Sequence, residues 1–203
     1  MGYYIRILGI NDSDIYLDKL LDDLKSGGLT AKINIQESQS PDSWSLIQVA
    51  NTNDLVIAQI ERNPVIEGEL GFDELNEFRE EVIDCKPNSS VVWLTKYFDK
   101  IKVIYAFQLL NDCFTDDNYS IISTIRNFIW NVTGGILQAD NEGFSNEDGY
   151  HILWQFSDSV TGDWHMALLN KDNEWIKFRM DLGDKEQREE FKNGLIPQKA
   201  VKL

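Results

Sequence analysis

The chain holds two histidines, and they fall close together: His151 and His165, with Asp163 two residues before the second and Glu147, Asp148 and Asp158 in the stretches between and beside them. Imidazole beside carboxylate is the pairing used for proton transfer near neutral pH and, with three or more ligands, for holding a divalent metal. The apolar pattern predicts strands over 150–156 and 164–170. Strand alternation then sets Trp164, Met166 and Leu168 on one face and His165, Ala167 and Leu169 on the other, with Tyr150, Ile152, Trp154 and Phe156 opposed to His151. The imidazoles meet only if the register makes their faces coincide. His151, His165 and Asp163 are therefore the candidate catalytic residues, and a sheet that merely carries two histidines is the plainer reading.

Other catalytic signatures are missing from the sequence. There is no GxSxG, no phosphate-binding loop, no HExxH and no dinucleotide fingerprint. Asp140 to Gly149 is dense in oxygen ligands and glycine, but a calcium loop wants glycine at its sixth place and glutamate at its twelfth, and Gly143 is fourth after Asp140 and His151 twelfth. Glu147-Asp148-Gly149 before a strand reads as a hairpin turn. Cys85 and Cys113 have no CxxC partner and read as buried thiols. No metal and no cofactor are expected, and a small hydrolase or metal-assisted enzyme stands as the second reading of function.

The first reading rests on charge. With 34 acidic against 19 basic residues in 203, the net charge is −15, which repels phosphate backbones and anionic membrane surfaces and suits a basic partner. Nucleic acid and membrane are not expected partners. The charge is densest at Glu67, Glu69, Asp73, Glu74, Glu77, Glu80, Glu81 and Asp84, relieved by Arg79. Over Asp73 to Asp84, Leu75, Phe78 and Val82 share one helical face, so the carboxylates cover the rest. That helix is the expected binding surface, meeting a basic protein by charge complementarity. In size and charge the chain is similar to small acidic bacterial proteins that bind and neutralise a toxic partner; this resemblance implies an immunity-like or regulatory protein-binding module. Homodimerisation through an apolar patch is a further expectation. Tyr3 to Arg6 reads as a strand with no apolar leader, so the expected location is the cytoplasm.

The elements that position these residues follow from periodicity. A 42% hydrophobic share with 11% aromatics is enough to fill a core. Strands are predicted over 3–10, 29–37, 44–50, 55–61, 101–110, 135–140, 150–156, 164–170 and 174–180, and helices over 14–26, 73–84, 88–98, 116–132 and 184–193. Gly27-Gly28 and Gly134-Gly135 close two helices, Asp184 caps the last, and 196–203 reads as a basic tail that frays. Strand, helix, small antiparallel sheet and helix thus occur twice. Ile10-Asn11-Asp12 answers Leu110-Asn111-Asp112, and Trp44 with Asn53-Asp54-Leu55 answers Trp164 with Asn173-Glu174-Trp175. The expected fold is α+β with two variant copies of one unit, related by a pseudo-twofold or joined into one larger sheet. The first copy is 1–86, the connecting helix 87–99, and the second copy, 100–203, carries an added strand at 150–156. Shared topology requires the same strand order in 3–61 and 101–180.

Overall fold

The computed structural model describes residues 2–35, 39–110 and 112–203. In chain order the elements are β1 (Tyr3–Gly9), α1 (Leu17–Ser26), β2 (Lys32–Ile35), β3 (Leu46–Ala50), β4 (Val56–Pro64), α2 (Leu70–Glu81), α3 (Asn88–Tyr97) with a 3-10 turn at Phe98–Lys100, β5 (Val103–Leu109), α4 (Asp116–Thr133), β6 (Ile136–Ala139), β7 (Gly143–Ser145), β8 (Asp163–Leu169), β9 (Trp175–Asp181), α5 (Lys185–Lys192) and β10 (Val201–Lys202). The class is α+β with antiparallel strand pairing. Contacts divide the chain into one unit of 1–73 with 101–135 and another of 74–100 with 136–203, so the compact units cut across the expected boundaries at 86 and 100.

In the first unit the strands run β2-β3-β4-β5-β1. Residues Ile35, Ile47, Ile60, Phe107 and Ile5 fall in one rung, and the next rung, Asn34, Gln48, Gln59, Gln108 and Tyr4, is polar. This period of two separates an apolar from a polar face over that part of the sheet, while β5 is buried on both faces, through Tyr105 and Phe107 on one and Ile104 and Ala106 on the other. Helix α4 packs on β1 and α1 packs on α4, so Leu17, Leu20 and Leu24 are buried while Leu21 is exposed. The glycine pairs close both helices as expected. Gly28 takes φ +71° and Leu29 donates back to the Leu24 carbonyl at 2.9 Å, which satisfies an otherwise unpaired helix-end acceptor.

In the second unit β6 pairs with β7, and β8, β9 and β10 form a sheet in the order β10-β9-β8. One face of β8 and β9, with Met166, Leu168, Phe178 and Met180, packs with Phe156, Leu182 and Phe191 of α5 into a core. On α3, Val91 and Leu94 are buried, and on another side of the helix Trp93 stacks on Tyr97 at 4.5 Å and meets Trp175 edge-on at 5.0 Å.

Three sequence expectations are corrected. The segment 150–156 is not a strand; it makes isolated bridges at His151 and Trp154. The tail does not simply fray, because Val201 and Lys202 pair with Arg179 and Phe178 of β9. The duplication does not carry through to topology. In 3–61, β2, β3 and β4 are consecutive neighbours and β5 separates β4 from β1, whereas in 101–180 β8 pairs with β9 and the other edge of β9 is taken by β10. The first strand and helix of the supposed second copy, β5 and α4, lie in the first unit.

What does recur is a turn. Asn51, Asn146 and Asn170 each donate their backbone N–H to the carbonyl four residues on, at 3.0, 2.9 and 2.9 Å. Each also accepts, at its side-chain oxygen, the N–H groups two and four residues on, at 2.8 to 3.2 Å. The residue three places on, Asp54, Gly149 or Asn173, takes a positive φ. The stretches 51–55 and 170–174 thus match through shared turn chemistry, asparagine accepting the local N–H groups at the first place and Asp or Asn tolerating left-handed backbone at the fourth.

Candidate functional site

The histidines are neighbours along the backbone but not partners in chemistry. The His151 N–H donates to the His165 carbonyl at 3.0 Å, and the Ala167 N–H donates to the His151 carbonyl at 2.8 Å. On β8, Trp164 and Met166 pair across with Met180 and Phe178, on the core face, while His165 pairs with Arg179 on the other. The His151 ring lies against Trp164 at 4.8 Å and Phe156 at 5.3 Å, and the His165 ring against Tyr150 at 5.8 Å. The imidazoles therefore sit on opposite sides of the sheet. Alternation misplaced His151 because its segment is not a strand. Asp163 is exposed and 3.5 Å from the Arg179 guanidinium. Among the described residues no group of three or more histidine, cysteine or carboxylate side chains could hold a metal ion.

His151 contacts Ser145, whose hydroxyl oxygen is 3.4 Å from Nδ1, and burial lowers its pKa from 6.5 to about 4. The unfolded chain takes up a proton near pH 6.5 and the folded one only near 4, so the neutral ring favours the folded state above pH 6.5. That contribution falls as the pH drops from 6.5 to 4 and is gone below 4. At about 1.4 kcal/mol per tenfold in proton affinity, roughly 2 kcal/mol goes between pH 7 and pH 5. Urea unfolding at these two pH values, wild type against His151→Gln, should show that extra loss in the wild type only. Equal losses would remove His151 as the cause.

The loop that resembled a calcium site is a hairpin. Asn141, at φ +62°, turns β6 into β7, and the Glu142 N–H donates to the Ala139 carbonyl at 3.1 Å. Glu147-Asp148-Gly149 forms the second of the asparagine turns, as the sequence suggested. Asp148 pairs with Lys177 at 2.8 Å, and Lys177 lies over the Tyr150 ring at 5.0 Å.

The acidic stretch keeps its carboxylates at the surface. Glu67, Glu69, Asp73, Glu77, Glu80, Glu81 and Asp84 are exposed and Glu74 is half-buried, while Leu75, Phe78 and Val82 are buried on the expected inner face. The helix starts at Leu70, earlier than periodicity indicated. At Gly71 an added Cβ would stand 2.5 Å from the Asn63 carbonyl oxygen and 2.6 Å from that of Pro64, so glycine lets the helix begin against that backbone. Arg79 pairs with Asp99 at 2.9 Å and lies over Phe98, and the Glu81 carboxylate accepts from Gln155 at 2.7 Å. In the same stretch of sequence Ile66, Leu70 and Ile83 are exposed at 59, 64 and 66%. Cys85 is half-buried, and burial, then Glu81 and Asp84, push its thiol pKa up, which keeps it protonated and unreactive.

Pattern reading missed two places in the first unit. Asp12 pairs with Arg62 at 2.6 Å next to the buried Tyr105 phenol. Burial pushes that phenol's pKa up to about 12, Arg62 opposing and Asp12 and Asp14 reinforcing. The cleft there, lined by Asp14, Ile15, Asp42, Ser43, Trp44 and Arg62, is too tight for a water molecule. A polar groove of about 470 Å³ lies between the α1–β2 loop, the β3–β4 turn and the start of α4, where Asn51 donates to Asn118 at 3.2 Å. Both places join segments distant in sequence, and no local period signals them.

Among the described residues no helix is long and apolar enough to cross a membrane. Comparison with family models, with curated proteins and with solved structures found no match to this chain.

Proposed function

We propose that this chain is a non-enzymatic binding protein, immunity-like or regulatory, that presents the carboxylates around α2 to a basic protein partner in the cytoplasm. The observation that carries the reading is the composition of that stretch: exposed Glu67, Glu69, Asp73, Glu77, Glu80, Glu81 and Asp84 interleaved along the sequence with exposed Ile66, Leu70 and Ile83. Charge alone keeps a protein soluble. Large aliphatic groups left in water among the charges are what a partner can bury, while the charge speeds encounter and selects its sign.

Purification of complexes with the chain as bait should recover a basic protein whose binding weakens as salt rises. Changing Glu77→Gln, Glu80→Gln, Glu81→Gln and Asp84→Asn together should weaken that binding about tenfold or more and flatten its salt dependence, at a few tenths to one kcal/mol per interfacial charge. Recovery of the chain alone would count against the proposal. So would a partner held equally well by the neutralised variant.

A further inference from the structure

A second exposed surface of the first unit has no role in that reading. Phe114 is 67% exposed and Tyr119 39%. Their rings stack with centroids 6.4 Å apart at 24°, and Tyr3 meets Phe114 edge-on at 6.1 Å. A phenylalanine so exposed forgoes most of what burial would contribute. Three aromatic rings in contact make a patch where a scattered surface residue would need no account.

The patch stands on a braced turn. The Thr115 N–H and hydroxyl donate to the Asp112 carbonyl at 3.1 and 3.0 Å, and the Asn118 side-chain amide donates to the same oxygen at 3.0 Å. Asn118 in turn accepts from Asn51 of the β3–β4 turn. Such bracing lowers the ordering cost of binding on the rings. The charges that flank Phe114 and Tyr119 in sequence have one sign: Asp112, Asp116 and Asp117 are exposed, and the sequence has no lysine or arginine between Lys102 and Arg126. Asp116 and Asp117 also suit the helix N-terminus, but that accounts for the carboxylates and not for the rings.

We infer that the Tyr3–Phe114–Tyr119 platform binds an arginine-bearing segment of a protein partner, the guanidinium lying on the ring faces and pairing with the aspartates around them. Arginine fits because its planar cation stacks on aromatic faces and forks to carboxylates, which the compact, strongly hydrated ammonium of lysine does less well. A second copy of the chain would bring its own Asp112, Asp116 and Asp117 against these, and an anionic lipid surface would be repelled. The inference does not rest on the acidic surface of α2.

The test uses two fluorescent peptides, alternating arginine with glycine and alternating lysine with glycine, titrated into the whole chain. The arginine peptide should bind several-fold more tightly. Phe114→Ala and Tyr119→Ala should each weaken it about five- to tenfold and abolish the arginine preference, and Phe114→Leu should do the same while keeping the bulk. Asp116→Asn with Asp117→Asn should flatten the salt dependence. Unfolding midpoints of the Phe114 variants should match wild type, since the ring is exposed. The variant neutralised around α2 should keep the arginine preference, which separates failure here from failure of the proposed function. Equal binding of both peptides, or wild-type binding by Phe114→Ala, would overturn the inference. A concentration-dependent dimer that Phe114→Ala dissolves would overturn it too, assigning the platform to a second copy.

Discussion

Replacing Arg188 by methionine is expected to lower the unfolding free energy by about 3 kcal/mol. Arg188 is charged yet only 8% exposed, and it has donors enough to satisfy a loop. Its Nε donates to the Leu182 carbonyl, Nη1 to that of Asp158 at 2.8 Å and Nη2 to that of Val160 at 2.7 Å. The guanidinium carbon also lies 5.6 Å from the centre of the Trp154 ring. Methionine keeps much of the volume but leaves three carbonyls without their charged donor. Part of the loss is offset because a buried cation no longer has to be desolvated, which is why the estimate stays well below three full charged hydrogen bonds. Lysine should restore little, since one ammonium cannot reach three oxygens in the fork geometry. Urea unfolding measures this, and a loss below about 1 kcal/mol for methionine would show that the three carbonyls are satisfied some other way.

Gly135→Ala should cost more still, about 4 kcal/mol or greater, or prevent folding. A Cβ at this position would stand 1.9 Å from the Leu8 carbonyl oxygen, and the backbone is at φ +95°. The obstacle is main chain of β1, which cannot swing aside as a side chain can. The Trp130 indole N–H donates to the Gly135 carbonyl at 3.0 Å, which resists movement of the segment from the other side. Neighbouring Gly134 supplies the control. At φ +62° and ψ −161° it occupies a backbone region that side chains other than glycine's scarcely enter, but its added Cβ would meet only the Ile10 and Asn11 side chains, at 3.4 and 3.9 Å, so Gly134→Ala should cost about 1 to 3 kcal/mol from backbone conformation alone. Thermal unfolding of both variants orders them. Equal losses would mean that conformation matters here and close approach does not.

These two positions show how differently legible the molecule was. Gly134-Gly135 was readable as a helix end because glycine after an apolar stripe is a local signal. That the second glycine is required by the passage of β1 follows only from packing. Nothing around Arg188 distinguishes it from other charged residues of a surface helix, since its three acceptors lie on loops 6 to 30 residues away. Of the candidate sites, the acidic stretch was legible in its buried face of Leu75, Phe78 and Val82 and in most of its exposed carboxylates, because one helical period decides both, but not in its start at Leu70. The aromatic platform was not, because Phe114 and Tyr119 precede and open α4 while Tyr3 comes from β1.

By itself the sequence determined what acts over a few residues. Apolar periods of 2 and 3.6 placed most strands and helices, and asparagine and glycine placed the turns. Tertiary structure decided the rest. It chose β4 and β1 as the neighbours of β5 and gave β10 to β9, so similar stretches entered different sheets. It also turned the two imidazoles to opposite faces. Strand pairing is a contest among edges that all offer the same backbone donors and acceptors, and the winner depends on which apolar faces can be buried together. That choice is a property of the whole chain and leaves no mark on any one segment.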